Sequence, residues 1–178
     1  MKNFSISRKQ FIQICAAALF SVVMVAPFNA CAQGSKANFA GTWAFNETKS
    51  NLGEGGMGRF RAGSQFTVTQ DANTLTVSRT RTNQNGESTT TTEKFTLDGK
   101  ESVNTSGRGG ASKSVVTFSA DGKSLNFANT RSFERDGQTT EMKSTEVWTL
   151  TDAKTLSIKS TSNFGGQERV TTMVYDKK

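Results

Sequence analysis

Residues 71–100 read DANTLTVSRTRTNQNGESTTTTEKFTLDGK, and the period of that stretch decides the fold class. From position 74 onward, Leu75, Val77, Arg79 and Arg81 fall on one face and Thr74, Thr76, Ser78 and Thr80 on the other. A period of two is that of a half-buried strand. Asn85-Gly86 then supplies the positive φ that a tight hairpin needs. The return run carries Thr91, Glu93, Phe95 and Leu97 on one face, so the order of polar and apolar residues is reversed. The apolar ends of both runs therefore meet beside Asp71 and Asp98-Gly99, and the polar ends meet at Asn85-Gly86.

The same pattern extends along the chain. Asp71-Ala72-Asn73, Asp98-Gly99-Lys100, Asp121-Gly122-Lys123 and Asp152-Ala153-Lys154 mark one set of turns, where Asp suits the local hydrogen bonding. Asn85-Gly86, the run from Gly107 to Gly110, Asp136-Gly137 and Gly165-Gly166 mark the opposite set. Ten strands follow, near 39–46, 64–70, 74–83, 88–97, 100–105, 112–118, 124–134, 138–150, 154–163 and 167–175. After Gln33 no window holds an apolar period of about 3.6, so no sizeable helix is expected. Ten sequential antiparallel strands leave two unpaired edges unless they close. The expectation is an all-β, up-and-down antiparallel meander closed into an 8–10-stranded barrel. A two-residue turn at Asp136-Gly137 pairs Leu125 with Trp148 and Arg131 with Met142. The turn at Asp121-Gly122 pairs Val116 with Phe127 and Phe118 with Leu125.

One face of this barrel is apolar at the aspartate end and polar at the other. Leu125 and Phe127 lead to Asn129 and Arg131, Leu156 and Ile158 to Ser160 and Ser162, and Leu150 and Trp148 to Glu146 and Ser144. The opposite face is rich in Thr and Ser, which suits water and not lipid, so a membrane-spanning barrel is excluded. If the apolar-starting face lines the interior, Arg79, Arg81, Arg131, Glu93, Glu146 and Met142 gather at one mouth. Charges are placed inside only when paired, hydrated or used. One reading is an open, wet cavity for an anionic or amphipathic ligand, with the arginines as its anchor. The other is a short core at one end with solvated strand extensions. The Gly-rich segment 51–63 is expected to be a loop covering the mouth, with Met57 and Phe60 as its apolar contacts.

Composition narrows the function classes. The chain has 178 residues, enough for one domain, with 22 Lys plus Arg, 15 Asp plus Glu, no His and two Cys. Lys2, Arg8 and Lys9 precede an apolar run, Phe11 to Ala26, and Ala30-Cys31-Ala32 gives the small-x-small pattern of a cleavage site. Residues 1–32 therefore read as a signal peptide and 33–178 as a single domain, exported to a periplasm or the exterior. Cleavage before Cys31 with lipidation is the alternative, and it would bring the protein to a membrane; Phe28 and Asn29 fit a lipobox poorly. Without the leader the chain keeps 19 basic residues against 15 acidic, and nucleic-acid binding loses its support. Gly53-x-Gly55-x-x-Gly58 matches a dinucleotide fingerprint formally, but a strand follows it and not a helix. With no His, no Cys after the leader and most aspartates in turns, neither an enzyme nor a metal site nor a cofactor is expected. Glu93 and Glu146 are expected to pair with the neighbouring arginines.

Gly41-Thr42-Trp43, two residues after Phe39, resembles the Gly-x-Trp signature that opens lipocalins and fatty-acid-binding proteins, the calycin barrels. Thr92 to Gly99 is similar to the middle hairpin of fatty-acid-binding proteins, and Met173-Val174-Tyr175-Asp176-Lys177 to their last strand. Their helix pair between the first two strands has no counterpart here beyond the Gly-rich loop. Their Arg-x-Tyr carboxylate site is replaced by Met173-x-Tyr175. The resemblance implies a secreted lipocalin-like domain, expected to be a monomer, that binds a small hydrophobic or amphipathic molecule. A filled barrel acting as an envelope interaction or inhibitor module is the other reading, with specificity in loops 47–63 and 106–111.

Overall fold

In the computed structural model, the stretch 74–97 forms two antiparallel strands, β3 (Thr74–Thr82) and β4 (Ser88–Thr96). Residues 35–53, 64–82, 86–105, 110–135, 138–164 and 166–178 are described. The remaining strands are β1 (Gly41–Asn51), β2 (Gln65–Gln70), β5 (Glu101–Thr105), β6 (Ala111–Phe118), β7 (Ser124–Arg135), β8 (Gln138–Asp152), β9 (Thr155–Phe164) and β10 (Gln167–Lys177). Among the described residues there is no helix. All ten strands join one antiparallel sheet in the order β4-β3-β2-β1-β10-β9-β8-β7-β6-β5, an up-and-down meander rolled into a nearly closed barrel. The registers follow the hairpin arithmetic. Leu125 faces Trp148 and Arg131 faces Met142, while Val116 faces Phe127 and Phe118 faces Leu125.

The four aspartate turns share one device. A carboxylate oxygen accepts the backbone N–H two residues on: Asn73 to Asp71 at 2.8 Å, Lys100 to Asp98 at 3.1 Å, Lys123 to Asp121 at 3.0 Å and Lys154 to Asp152 at 2.7 Å. Each clasp satisfies a donor that the strand ladder leaves open. At the first strand, Gly41 has φ 148°, and a Cβ there would strike the Lys177 side chain. That explains why glycine stands two residues before Trp43.

β1 runs five residues further than the sequence alternation indicates. The Asn46 side chain accepts the Lys49 N–H at 3.1 Å, and the Ser50 hydroxyl donates to the Asn46 carbonyl at 2.6 Å and accepts the Val174 N–H at 2.9 Å. This polar knot absorbs the register shift against β10 between Asn46 and Asn51.

Closure also relies on side chains. β4 and β5 are the two ends of the sheet order. Asn104 bridges them with its amide, Oδ1 accepting the Lys94 N–H at 2.8 Å and Nδ2 donating to the Lys94 carbonyl at 3.1 Å. The Ser102 hydroxyl accepts the Thr96 N–H at 3.0 Å. These contacts stand in for the missing ladder and blunt both edges.

The core occupies the aspartate end. Trp148 is its hub, with ring centroids of Phe127, Phe66 and Phe39 at 4.9, 5.7 and 6.4 Å. Phe66 packs on Tyr175 at 4.8 Å, and Phe95 on Phe127 at 5.5 Å. Leu75, Val77, Leu125, Leu156 and Ile158 fill the spaces between the rings. Trp43 is fully buried, and its indole N–H donates to the Phe39 carbonyl at 2.9 Å. Aromatic pairs in tilted and edge-on contact add to the area they bury.

Candidate functional site

Cross-strand register orders the inner face into rows, from the aromatic floor to the mouth. Leu125, Trp148, Ile158 and Met173 form the floor row. Above it lies Val116–Phe127–Glu146–Ser160–Thr171. The next row is polar throughout: Ser102–Ser114–Asn129–Ser144–Ser162, running across β5 to β9. At the mouth come Asn104, Ser112, Arg131 and Met142. Alternation within each strand thus turns a sequence pattern into depth inside the barrel.

The arginines separate by depth and wall. Arg79, on β3, pairs with Glu93 of β4, and their side chains are only 23% and 17% exposed. The Arg79 guanidinium also lies 5.2 Å from the Phe66 ring centre, a cation–π contact sheltered from water. Arg81 on β3 and Arg131 on β7 are exposed on different walls at the mouth, and Met142 is half-buried opposite Arg131. Glu93 therefore takes the expected arginine partner. Glu146 takes a different one, accepting the Trp148 indole N–H at 3.0 Å. That bond ties the floor's hub to the polar half. Gly41 and Trp43 belong to the closed end, and Met57 and Phe60 lie outside the described residues.

Two features of the interior were not singled out from the sequence. The Tyr175 hydroxyl donates toward the Met173 sulfur at 3.8 Å. Burial holds this phenol above its ordinary range, with Arg79 opposing the shift and Glu146 adding to it. Tyr175 stays neutral, a donor within the field of both charged residues. The second feature is the set of inward serines. Ser112 and Ser160 are 3% exposed and Ser162 is 8% exposed. Ser114 donates to Asn129 Oδ1 at 2.7 Å. The signal was present in the strand period, because Ser160 and Ser162 share a face with Leu156 and Ile158.

A shallow cleft of about 300 Å³ crosses the outside of β7, β8 and β9. Ala128, Thr130, Lys143, Thr145, Thr161, Asn163 and Glu168 line it, together with Asn129, Ser144 and Ser162 of the polar row. The charged and hydrogen-bonding groups that converge do so inside the barrel, so the interior is the candidate site. Among the described residues no group of three or more Asp, Glu, Cys or His side chains converges as a metal site would need.

No known protein family matches the chain, and no curated protein sequence matches it. Among solved structures, the crystal structure of zebrafish ileal bile acid-binding protein complexed with cholic acid is similar. The TM-score is 0.53 at 18% identity, over 79% of this chain and 98% of that one. With the ten-stranded meander, this likeness shows the calycin-type barrel fold.

Proposed function

We propose that this calycin-type barrel is an exported, non-enzymatic binding protein that holds one small amphipathic molecule in the polar half of its interior. One observation carries the reading: buried, inward hydrogen-bonding groups stand directly above a packed apolar floor. Such groups are retained where a polar partner meets them. A ligand with an apolar part against Phe127 and polar groups above it matches that gradient. The zebrafish protein's complex with cholic acid is a precedent for a small molecule held by this fold. The leader-like segment 1–32 supports export to a periplasm or the exterior, with an anchor at Cys31 as the alternative form. The exposed Arg81 and Arg131 suit an anionic group at the mouth.

Native mass spectrometry of the protein purified from its own host tests this. The expected spectrum shows a one-to-one adduct of small-molecule mass. Titration with octanoate or octyl glucoside below their micelle concentrations is expected to change the fluorescence of Trp148. Absence of an adduct together with a flat titration for both probes would refute the reading and favour a filled interaction module.

A further inference from the structure

The inward hydroxyls define what kind of polar group the interior reads. Ser112, Ser160 and Ser162 are more than nine-tenths buried, and none of the three has a side-chain hydrogen-bond partner among the described residues. No fully enclosed side-chain nitrogen or oxygen among the described residues lacks a partner. These three oxygens therefore border open space, and alternation with Leu156, Ile158 and Val116 places that space inside the barrel. They stand on β6 and β9 at three successive depths, with Ser144 and the amide of Asn129 between them in register.

From these observations we infer that the polar belt of the barrel binds a neutral, hydroxyl-rich group, such as a sugar ring or the polyol head of an amphiphile. The inference rests on the binding-protein reading above and specifies its ligand. Serine hydroxyls both donate and accept, as ligand hydroxyls do, so each contact satisfies both partners. Below the mouth row, at the depth of Ser160 and Ser162, the charges are already engaged: Arg79 by Glu93, and Glu146 by the Trp148 indole. An anion at the belt would displace Arg79 from Glu93 or lie beside Glu146 uncompensated, at a high desolvation cost. A neutral polyol meets neither penalty. Strands about 4.8 Å apart space the belt groups on the scale of a single six-membered ring.

Isothermal titration calorimetry of the purified protein with octyl β-glucoside and with octanoate, chains of equal length kept below micelle formation, tests the inference. The glucoside is expected to bind at least about tenfold tighter. The S112A/S160A/S162A variant should lose about tenfold or more on the glucoside and stay within about twofold on octanoate, since each neutral hydrogen bond is worth roughly threefold to tenfold. Ser160→Ala alone should lose about threefold, which keeps the test available if the triple variant misfolds. Octanoate binding as tightly as the glucoside would overturn the neutral-group assignment while leaving the binding-protein reading intact. So would a triple variant that keeps full glucoside affinity. Failure of both probes to bind would overturn both.

Discussion

The two ends of the barrel are built from the same strands by opposite logic. At the aspartate end, aromatic rings meet side by side and the turns are clasped by carboxylates. At the other end, hydroxyls and charges line the same strands, and two of the mouth arginines remain exposed. One end stores stability, and the other keeps groups available. A strand ten residues long is enough to do both, because its inward positions sample five successive depths.

Removing a ring from the floor should produce the largest effect. Trp148→Ala deletes the hub of three aromatic contacts and strands the Glu146 carboxylate that its indole satisfies. Chemical denaturation should show a loss of about 3–5 kcal/mol. A loss below about 1 kcal/mol would mean that the inward and outward faces have been exchanged.

Arg79 ranks second because, with its partner Glu93, it behaves like core. Arg79→Gln leaves Glu93 more than four-fifths covered and without its ion-pair partner, and it removes the contact with Phe66. About 1–3 kcal/mol is expected in the same measurement. The R79Q/E93Q double variant should recover part of that, since both charges then disappear together. At the seam, Asn104→Ala frees the Lys94 N–H and carbonyl, both at the edge of the sheet. A loss of about 1 kcal/mol is expected, with faster amide exchange along β4 and β5 as the more specific sign.

This ranking also shows what the sequence could disclose. The floor, the strand limits to within a few residues, and the cross-strand partners all follow from a period of two and the length of the turns. Leu125 against Trp148 needed nothing more. The inequality of the arginines did not follow, because it depends on which neighbouring strand brings a carboxylate within diagonal reach. Arg79 has Glu93 across the β3–β4 hairpin, whereas Arg131 has Ser112 and Met142 beside it. Glu146 and Trp148 are two residues apart on one face, so their bond was legible but competed with a plausible arginine partner. The extension of β1 was not legible, since it rests on the Asn46 and Ser50 side chains bonding to backbone across a bulge. The inward serines were visible in the pattern, yet only their burial without partners distinguishes them from solvated strand ends.

Acid should weaken the closed end first. Hydrogen bonds from Thr74 and neighbouring backbone lower the pKa of Asp71, Lys100 brings that of Asp98 down to about 2, the Ser119 hydroxyl lowers that of Asp121, and the Lys154 N–H lowers that of Asp152. Each is depressed relative to an ordinary value of 3.8. Depressed carboxylates contribute stability that is fully present above the unfolded value and is lost as pH falls through the folded one. The melting temperature should thus hold down to about pH 5 and decline between about pH 4 and pH 2. Asp98→Asn keeps an acceptor for the Lys100 N–H but removes the charge, so it should flatten part of that decline. An identical acid slope in the variant would remove Asp98 from the account.

The smallest expected effect on stability falls on Arg81 and Arg131, and it separates the two ends most sharply. Both are exposed, and their replacement by Gln should shift the unfolding free energy by no more than about 0.5 kcal/mol, as for surface changes generally. Binding should respond differently. Octanoate carries its charge at one end, and the mouth offers these two guanidinium groups, whereas Arg79 is already engaged by Glu93. The R81Q/R131Q variant should therefore bind octanoate at least about tenfold more weakly, with the remaining affinity insensitive to added salt. Octyl glucoside should be much less affected, because it carries no charge and only Ser112 among its three serine contacts shares the row of Arg131. A variant that loses stability would mean that these arginines belong to the core. One that keeps its octanoate affinity would show that the anionic group is held elsewhere, and Arg79 would then have to exchange Glu93 for the ligand.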